Sequence, residues 1–379
     1  MQSKPKVLSV SITEMQEYLR CRRAWDFQSA NRQSLVKKGI PATALWMGSA
    51  VHKALEMHIR GRSPKKALDE YIERMRKEMA DAYLDKVGAP LSASELQQFE
   101  DSASLCNAIT RAYFEHYGMT DTYAPYKALC SEMTFRIPMG RMGVYDAVYL
   151  IGTIDGVLYD PRYDTLGGID HKTYSQKADI RDLSLNDQFV GYTACLELLV
   201  QQEVRFFVYN GVNKKEPREP VRLKNGRLSI SKECVTTAKT FERAIVKNGE
   251  DPKDPHYAAH LAWLRLREEE AHPFFTRHTI HIPTAVKADW WSNTWQVLSE
   301  MASDPRITFN RRWEGCWDCN VRDLCEIQSR GENLQWAIEN GYQLGTYGTQ
   351  LKLQSMVSPG DVSSVDDLRN WIESQEEHG

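Results

Sequence analysis

Apolar residues recur every three to four positions along the first third of the chain, and every second position after it. Met15, Tyr18, Leu19 and Trp25 keep helical spacing behind Ser11 and Glu14, a Ser-x-x-Glu pair that reads as a helix-opening capping box. Further helices are predicted over Trp46 to Ile59, Pro64 to Lys86 and Ala93 to Tyr117, so that residues 1–118 read as a helical region. The stretches "SEMTFRIPM", "GVYDAVYLIGTIDGVLYD" and "LGGIDHKTYS" then alternate apolar and polar residues as sheet strands do.

Helix returns from Asp182 to Val200 and is followed by the strand "VRFFVYN". In "VRLKNGRLSI", Asn-Gly between two alternating arms predicts a hairpin. Residues 234–275 read as helical and charged, "FFTRHTIHIP" as a strand and Thr284 to Ala302 as a helix. Beyond Gln328 the chain thins into Gly, Ser and Gln, with a last short helix expected over Val365 to Glu373. There is no internal repeat. Three regions follow: a helical region at 1–118, an α/β core at 119–328 interrupted by an insertion at 213–275, and a tail at 329–379.

Composition adds limits. In 379 residues, 42% hydrophobic and 26% charged describe a globular chain with enough apolar surface for a core. No apolar run is long enough for a membrane span, and "MQSKPKVLSV" lacks the apolar stretch of a secretion signal, so a cytoplasmic protein is expected. In that compartment the eight cysteines are free thiols or metal ligands. A net charge of −3 excludes a generally basic protein, so any nucleic-acid site must be a local patch.

The chemistry concentrates in "GTIDGVLYDPRYDTLGGIDHKTY". Its middle, "DPRYDT", is a turn, and the mean of 155 and 170 falls between Arg162 and Tyr163, at the turn centre. Asp155 is therefore expected across from Asp170, with Cβ atoms roughly 4.5–5.5 Å apart. Two ionised carboxylates that close repel unless a hard divalent cation such as Mg²⁺ lies between them. Lys172 shares the face of Asp170, while His171 points away and offers only its backbone carbonyl. These groups suit metal-assisted phosphodiester hydrolysis, with Lys172 on the attacking water. A surface hairpin of solvated charges fits the same residues. Gln188 and Tyr192, four apart on the next helix, share a face from which they can steady Lys172 or meet a substrate strand. His52 stands on an early helix, with Glu56 one turn on.

Near the C-terminal end, "GCWDCNVRDLC" holds Cys316, Cys319 and Cys325, an incomplete metal site whose spacing is not that of a common zinc finger. Cys21, Cys106, Cys130, Cys195 and Cys234 are the possible fourth ligands, and a zinc site or incidental thiols remain open.

Taken in order, His52, Gly152 to Gly156, Asp170 to Lys172 and Gln188 to Tyr192 resemble the PD-(D/E)XK nuclease superfamily, in its RecB-type exonuclease branch. The resemblance covers about residues 8–210 and 275–328. It implies a restriction-endonuclease-like mixed sheet flanked by helices. It also implies Mg²⁺ or Mn²⁺ held by His52, Asp155, Asp170 and the His171 carbonyl, with Lys172 serving the water and Gln188 and Tyr192 assisting on DNA. Glu132 falls where some relatives keep a further acid. Cys21, between "EYLR" and "RRAWDF", looks like the distant first cysteine of the iron-sulfur members, similar to the AddB nuclease domain and the CRISPR-adaptation nuclease. Cys21, Cys316, Cys319 and Cys325 would then bind a 4Fe-4S cluster and staple sites 295 residues apart, although relatives often have Pro where this chain has Arg22.

The activity implied is a deoxyribonuclease, most readily an exonuclease on single-stranded DNA or duplex ends in recombination or repair. A structure-specific endonuclease and a non-catalytic DNA-binding scaffold are the rivals. Arg20, Arg22, Arg23, Arg311 and Arg312 lie beside the cysteines and are expected to hold phosphates. No phosphate-binding Gly-x4-Gly-Lys-Ser/Thr loop occurs, so any helicase, annealing protein or integrase would be a separate partner. Oligomeric state is not legible.

Overall fold

The computed structural model describes residues 5–38, 43–175, 183–303, 316–317 and 319–345. The strands are β1 (Val7–Ser11), β2 (Leu35–Lys37), β3 (Lys127–Met142), β4 (Tyr145–Asp160), β5 (Thr165–Tyr174), β6 (Val204–Asn213), β7 (Phe275–His281) and β8 (Tyr342–Leu344). The first five helices are α1 (Ile12–Arg20), α2 (Arg22–Gln28), α3 (Thr43–Ile59), α4 (Pro64–Val87) and α5 (Ala93–Tyr117). The rest are α6 (Asp187–Val200), α7 (Ala238–Lys247), α8 (Pro255–Ala271), α9 (Thr284–Ser303), α10 (Arg322–Ser329) and α11 (Leu334–Gly341).

A mixed six-stranded sheet forms the centre, in the order β1-β4-β5-β6-β7 with β3 also on β4. The long β3–β4 hairpin occupies one edge of β4 over most of its length. The other edge is shared: β1 runs parallel to it over Ala147 to Ile151, and β5 runs antiparallel over Gly156 to Asp160. Residues 152–155 lie between the two partners, so the sheet opens where β1 ends and β5 turns away to pair in parallel with β6. Asp155 and Asp170 border that opening.

Helices cover both faces. Side chains of α1, α6 and α9, including Met15, Phe189, Trp290 and Leu298, pack with sheet residues in the main core. On α3 and α5, Val51, Leu55, Ile109 and Tyr113 pack against Val212 and Phe275. The caps follow the sequence. Ser11 Oγ accepts from the Glu14 N–H at 3.1 Å to open α1, and Ser92 with Glu95 forms a complete capping box for α5. Asn186 Oδ1 accepts from the N–H groups of Gln188 and Phe189, which sets where α6 begins.

Several expectations need correction. Residues 1–118 are not wholly helical, because Val7–Ser11 joins the central sheet and Leu35–Lys37 pairs with β8. β1 is only five residues long, too short for its alternation to stand out from the helix behind it. The "VRLKNGRLSI" hairpin reduces to one bridge, Arg222 to Leu228, around Gly226 at φ +87°. The helix expected from Asp182 begins at Asp187, after a 3-10 turn over Leu183–Leu185. The helical stretch 234–275 divides into α7 and α8 and ends in β7. After Gln328 the chain does not simply thin out, since α11 and β8 fold back on α10 and β2. The helix expected over Val365 to Glu373 lies outside the described residues.

Candidate active site

The β4–β5 hairpin pairs Asp160 with Thr165 and Gly156 with Ile169, a register in which the next facing pair is Asp155 and Asp170. The ladder stops one pair short. Instead, the Asp155 carboxylate accepts from the backbone N–H of His171 at 2.8 Å. From α3, His52 Nδ1 reaches to 3.4 Å from the same Asp155 oxygen. Gly48 allows that approach, because a Cβ there would stand 2.8 Å from Thr173 Oγ1 on β5.

Asp170 is 3% exposed. Its Oδ1 accepts from Lys172 Nζ at 3.1 Å, and Gln188 Nε2 lies 3.4 Å away. Its Oδ2 stands 2.9 Å from the same ammonium, but out of hydrogen-bonding alignment, and has no donor of its own. Burial, then the neighbouring Asp155 charge, raises this carboxyl to about 6, against the pull of Lys172. A buried carboxylate oxygen without a donor, next to a second carboxylate, offers hard oxygen ligands that suit Mg²⁺ or Mn²⁺, while the imidazole beside them is a borderline ligand. Among the described residues, however, no three His, Cys, Asp or Glu side chains already stand close enough to hold an ion.

On α6, Gln188 Oε1 accepts from Lys172 Nζ at 3.0 Å, and Gln188 Nε2 donates to Tyr192 Oη at 3.3 Å. On this face Gln188, and not Tyr192, makes the contact to Lys172. Between them, Gly191 lets Trp290 of α9 press on the helix, since a Cβ there would come within 2.4 Å of the indole. Glu132 sits opposite Asp155, between the pairs Ser131–Gly156 and Met133–Ile154, at φ +52°. A left-handed non-glycine residue inside a strand costs about 1–3 kcal/mol and occurs most often at functional sites. Glu56 is drawn into ion pairs with Lys53 and Arg60.

Behind the opening lies a polar hub that periodicity did not reveal. The His171 ring is buried, and its Nδ1 accepts from Asn210 Nδ2 at 2.8 Å. Asn210 Oδ1 in turn accepts from Tyr113 Oη at 3.1 Å and from Arg277 Nε and Nη2 at 3.2 Å. The Arg277 bonds fix which way the amide points, so His171 Nδ1 must be the acceptor and the ring neutral. Burial, with the charges of His52 and Arg277, likewise holds the imidazole well below its ordinary range. The one sequence signal was Asn210 itself, a polar residue within the apolar run "VRFFVYN".

Three of the four proposed cluster cysteines lie at a separate corner, and among the described residues they do not form a group that could already hold a metal. Cys21, Cys319 and Cys325 pack on a corner core with Phe27, Leu35, Leu324 and Tyr342. Burial, with the neighbouring Cys21 and Cys319 thiols, pushes Cys325 up to about 11, and Cys316 lies near enough to add to the shift. Cys106 and Cys195 are buried in the core, away from this corner, while Cys130 stands within β3 and Cys234 in the insertion. The corner arginines are engaged within the protein. Arg20 pairs with Glu17, Arg22 with Glu300 at 2.8 Å, and Arg23 with Asp26 at 2.9 Å. Arg311 and Arg312 lie outside the described residues.

Among the described residues no helix is long and apolar enough to cross a membrane. A comparison with curated proteins finds no match. The sequence profile of the PD-(D/E)XK nuclease superfamily matches residues 9–326, most of the chain, and the protein belongs to that superfamily. Its members are hydrolytic nucleases that generally use Mg²⁺ or Mn²⁺, and the mixed α/β sheet agrees with their fold.

Proposed function

We propose that this member of the PD-(D/E)XK nuclease superfamily is a metal-dependent deoxyribonuclease of the RecB-type exonuclease branch, acting on single-stranded DNA or duplex ends in recombination or repair. The observation that carries the reading is the buried Asp170 carboxylate, one oxygen of which has no donor, close enough to Asp155 at the sheet opening to feel its charge. His52, Asp155, Asp170 and the His171 backbone carbonyl would hold Mg²⁺ or Mn²⁺. When bound, the ion supplies charge neutralisation at the phosphodiester and acidifies the attacking water. Lys172, an ammonium fixed between Asp170 and Gln188, would orient that water and offset the negative charge that develops on it. Gln188 and Tyr192 line the α6 side and position the strand. The presence of both acids and the lysine favours an enzyme over a scaffold with the same fold.

Cys21, Cys316, Cys319 and Cys325 are proposed to carry a 4Fe-4S cluster as a structural staple. Support is the proximity of Cys21, Cys319 and Cys325 on one apolar corner, with Cys316 exposed beside it, although among the described residues no three cysteines stand close enough to hold a metal as they are. The cluster would tie α2 to α10 and so close the chain around the nuclease core.

The test is anaerobically purified protein, with and without Asp170→Ala, incubated with end-labelled single-stranded and duplex DNA plus Mn²⁺ or Mg²⁺. Release of mononucleotides from ends by the wild type alone is expected. Equal cleavage by both proteins sinks the assignment, internal fragments favour the endonuclease mode, and no cleavage by either restores the scaffold. A colourless preparation containing zinc and no iron removes the cluster.

A further inference from the structure

The insertion leaves the sheet at the proposed site. β5 and β6 run parallel to the pair Tyr174–Asn213, two residues beyond Lys172, and the next N–H, of Lys214, donates to the Tyr174 carbonyl at 2.8 Å. From that point the chain becomes basic. Residues 214–232 contain seven Lys or Arg (214, 215, 218, 222, 224, 227 and 232) and two Glu (216 and 219), a balance of +5 in a chain whose net charge is −3.

The structure spends few of these charges on folding. Arg227 pairs with Asp254, and Lys232 lies over the Trp263 ring. Lys215, Arg218, Arg222 and Lys224 are exposed, and among the described residues none has a carboxylate partner. Arg218 also lines a polar cavity of about 450 Å³ between this strap and α5, together with Arg111 and Arg243. Arg243 is held by Glu115 at 2.6 Å, while Arg111, like Arg218, has no such partner among the described residues. The opposing charge is small, because Glu219 is tied to Lys247 at 3.1 Å, which leaves Glu216. Within "VRLK", exposed Val221 and Leu223 alternate with the cations, at 72% and 44% exposure.

We infer that the strap 214–232, with Arg111 of α5, is the surface that grips the phosphates of the substrate DNA strand beyond the scissile bond. This inference rests on the nuclease reading and extends it to the insertion. Four cations of the strap that have no carboxylate partner among the described residues, Lys215, Arg218, Arg222 and Lys224, follow the carboxyl end of the strand pair that carries Asp170 and Lys172. Arg218 lies within about 17 Å of Asn213, the reach of five extended residues. A chain with a net negative charge has to gather its phosphate affinity locally, and this is a place where it does so.

The test uses the full chain with its divalent ions chelated, so that binding is read without cleavage. Fluorescence anisotropy follows labelled oligo(dT) over a salt series for wild type, for the triple variant Lys215→Glu, Arg218→Glu, Lys224→Glu, and for Glu216→Gln. Each phosphate contact on a single strand adds about 0.7 to the slope of log K against log salt, so the triple variant is expected to lose about 2 in slope. Its affinity should fall at least tenfold, Glu216→Gln should bind more tightly, and unchanged thermal melting verifies the fold. A neutral Lys215→Gln, Arg218→Gln, Lys224→Gln variant should fall between. If the triple variant binds with wild-type affinity and slope while the wild type still cleaves DNA with metal, the strap assignment is wrong and the nuclease reading stands. If the wild type neither binds nor cleaves DNA, both fall. Equal loss on an acidic polypeptide would overturn the nucleic-acid assignment and leave a general polyanion surface.

Discussion

Replacing Asn210 with leucine removes the centre of the polar hub while roughly keeping its shape. Four hydrogen bonds disappear: one to His171 Nδ1, one from Tyr113, and two from Arg277. Arg277 keeps Thr122 O at 2.7 Å and Tyr113 Oη at 2.8 Å, so its guanidinium is only partly stranded. The groups left wanting are the His171 ring acceptor, the Tyr113 hydroxyl proton and the Arg277 Nε–H. At about 1–3 kcal/mol for each of these three buried unsatisfied groups, the expected loss is about 3–9 kcal/mol. Urea unfolding should show it as a lower midpoint with an unchanged slope. Because the His171 N–H also holds Asp155, Mn²⁺ affinity should weaken about 10- to 100-fold, the usual effect of losing an outer support. Combining Asn210→Leu with Arg277→Met should cost about 0.5–3 kcal/mol less than the sum of the two. A loss below about 0.5 kcal/mol, or strict additivity, would refute the network.

Other perturbations have defined signs. Gly191→Ala puts a methyl into the Trp290 ring and should cost about 1–3 kcal/mol, read by thermal unfolding, with a larger fall in cleavage rate than in DNA affinity because α6 carries Gln188 and Tyr192. Asp170 has a folded value of about 6 against an ordinary 3.8, so protons compete for the ion: apparent Mn²⁺ affinity by titration should fall as pH drops below about 6. The same raised value means the metal-free protein is destabilised above about pH 6 and recovers as pH falls toward 3.8, on the order of 2–3 kcal/mol. His116 and His272 are held neutral by burial, with folded values of about 4 and 3 below an ordinary 6.5. They bind protons more readily when unfolded, so they remove stability as pH falls from 6.5 to about 4. His272→Asn, which keeps an acceptor for the Phe274 and Phe275 N–H groups, should flatten that part of a urea-midpoint profile.

The sequence revealed the elements whose residues carry a local signature. Asp-Pro in the β4–β5 turn marked the hairpin whose register leads to Asp155 and Asp170, and Ser11 with Glu14 marked the start of α1. Helical spacing put Gln188 and Tyr192 on one face, but only their order after His52, Asp155 and Asp170 to Lys172 singled them out. The five-residue β1 was not, since its place depends on the vacant edge of β4, a tertiary fact. Arg277 gave no signal, because its role comes from Asn210 across the β6–β7 pair. The partners of the corner arginines were not legible either, since Glu300, 278 positions from Arg22, is brought there only by folding.

The most direct measurement compares single-turnover cleavage of end-labelled DNA by wild type and Lys172→Met at saturating Mn²⁺, with metal binding followed in the same samples. Loss of the lysine should slow cleavage by about 10²-fold or more while Mn²⁺ still binds, because Asp155 and Asp170 remain. Cleavage by Lys172→Met at the wild-type rate would contradict the assignment of the site.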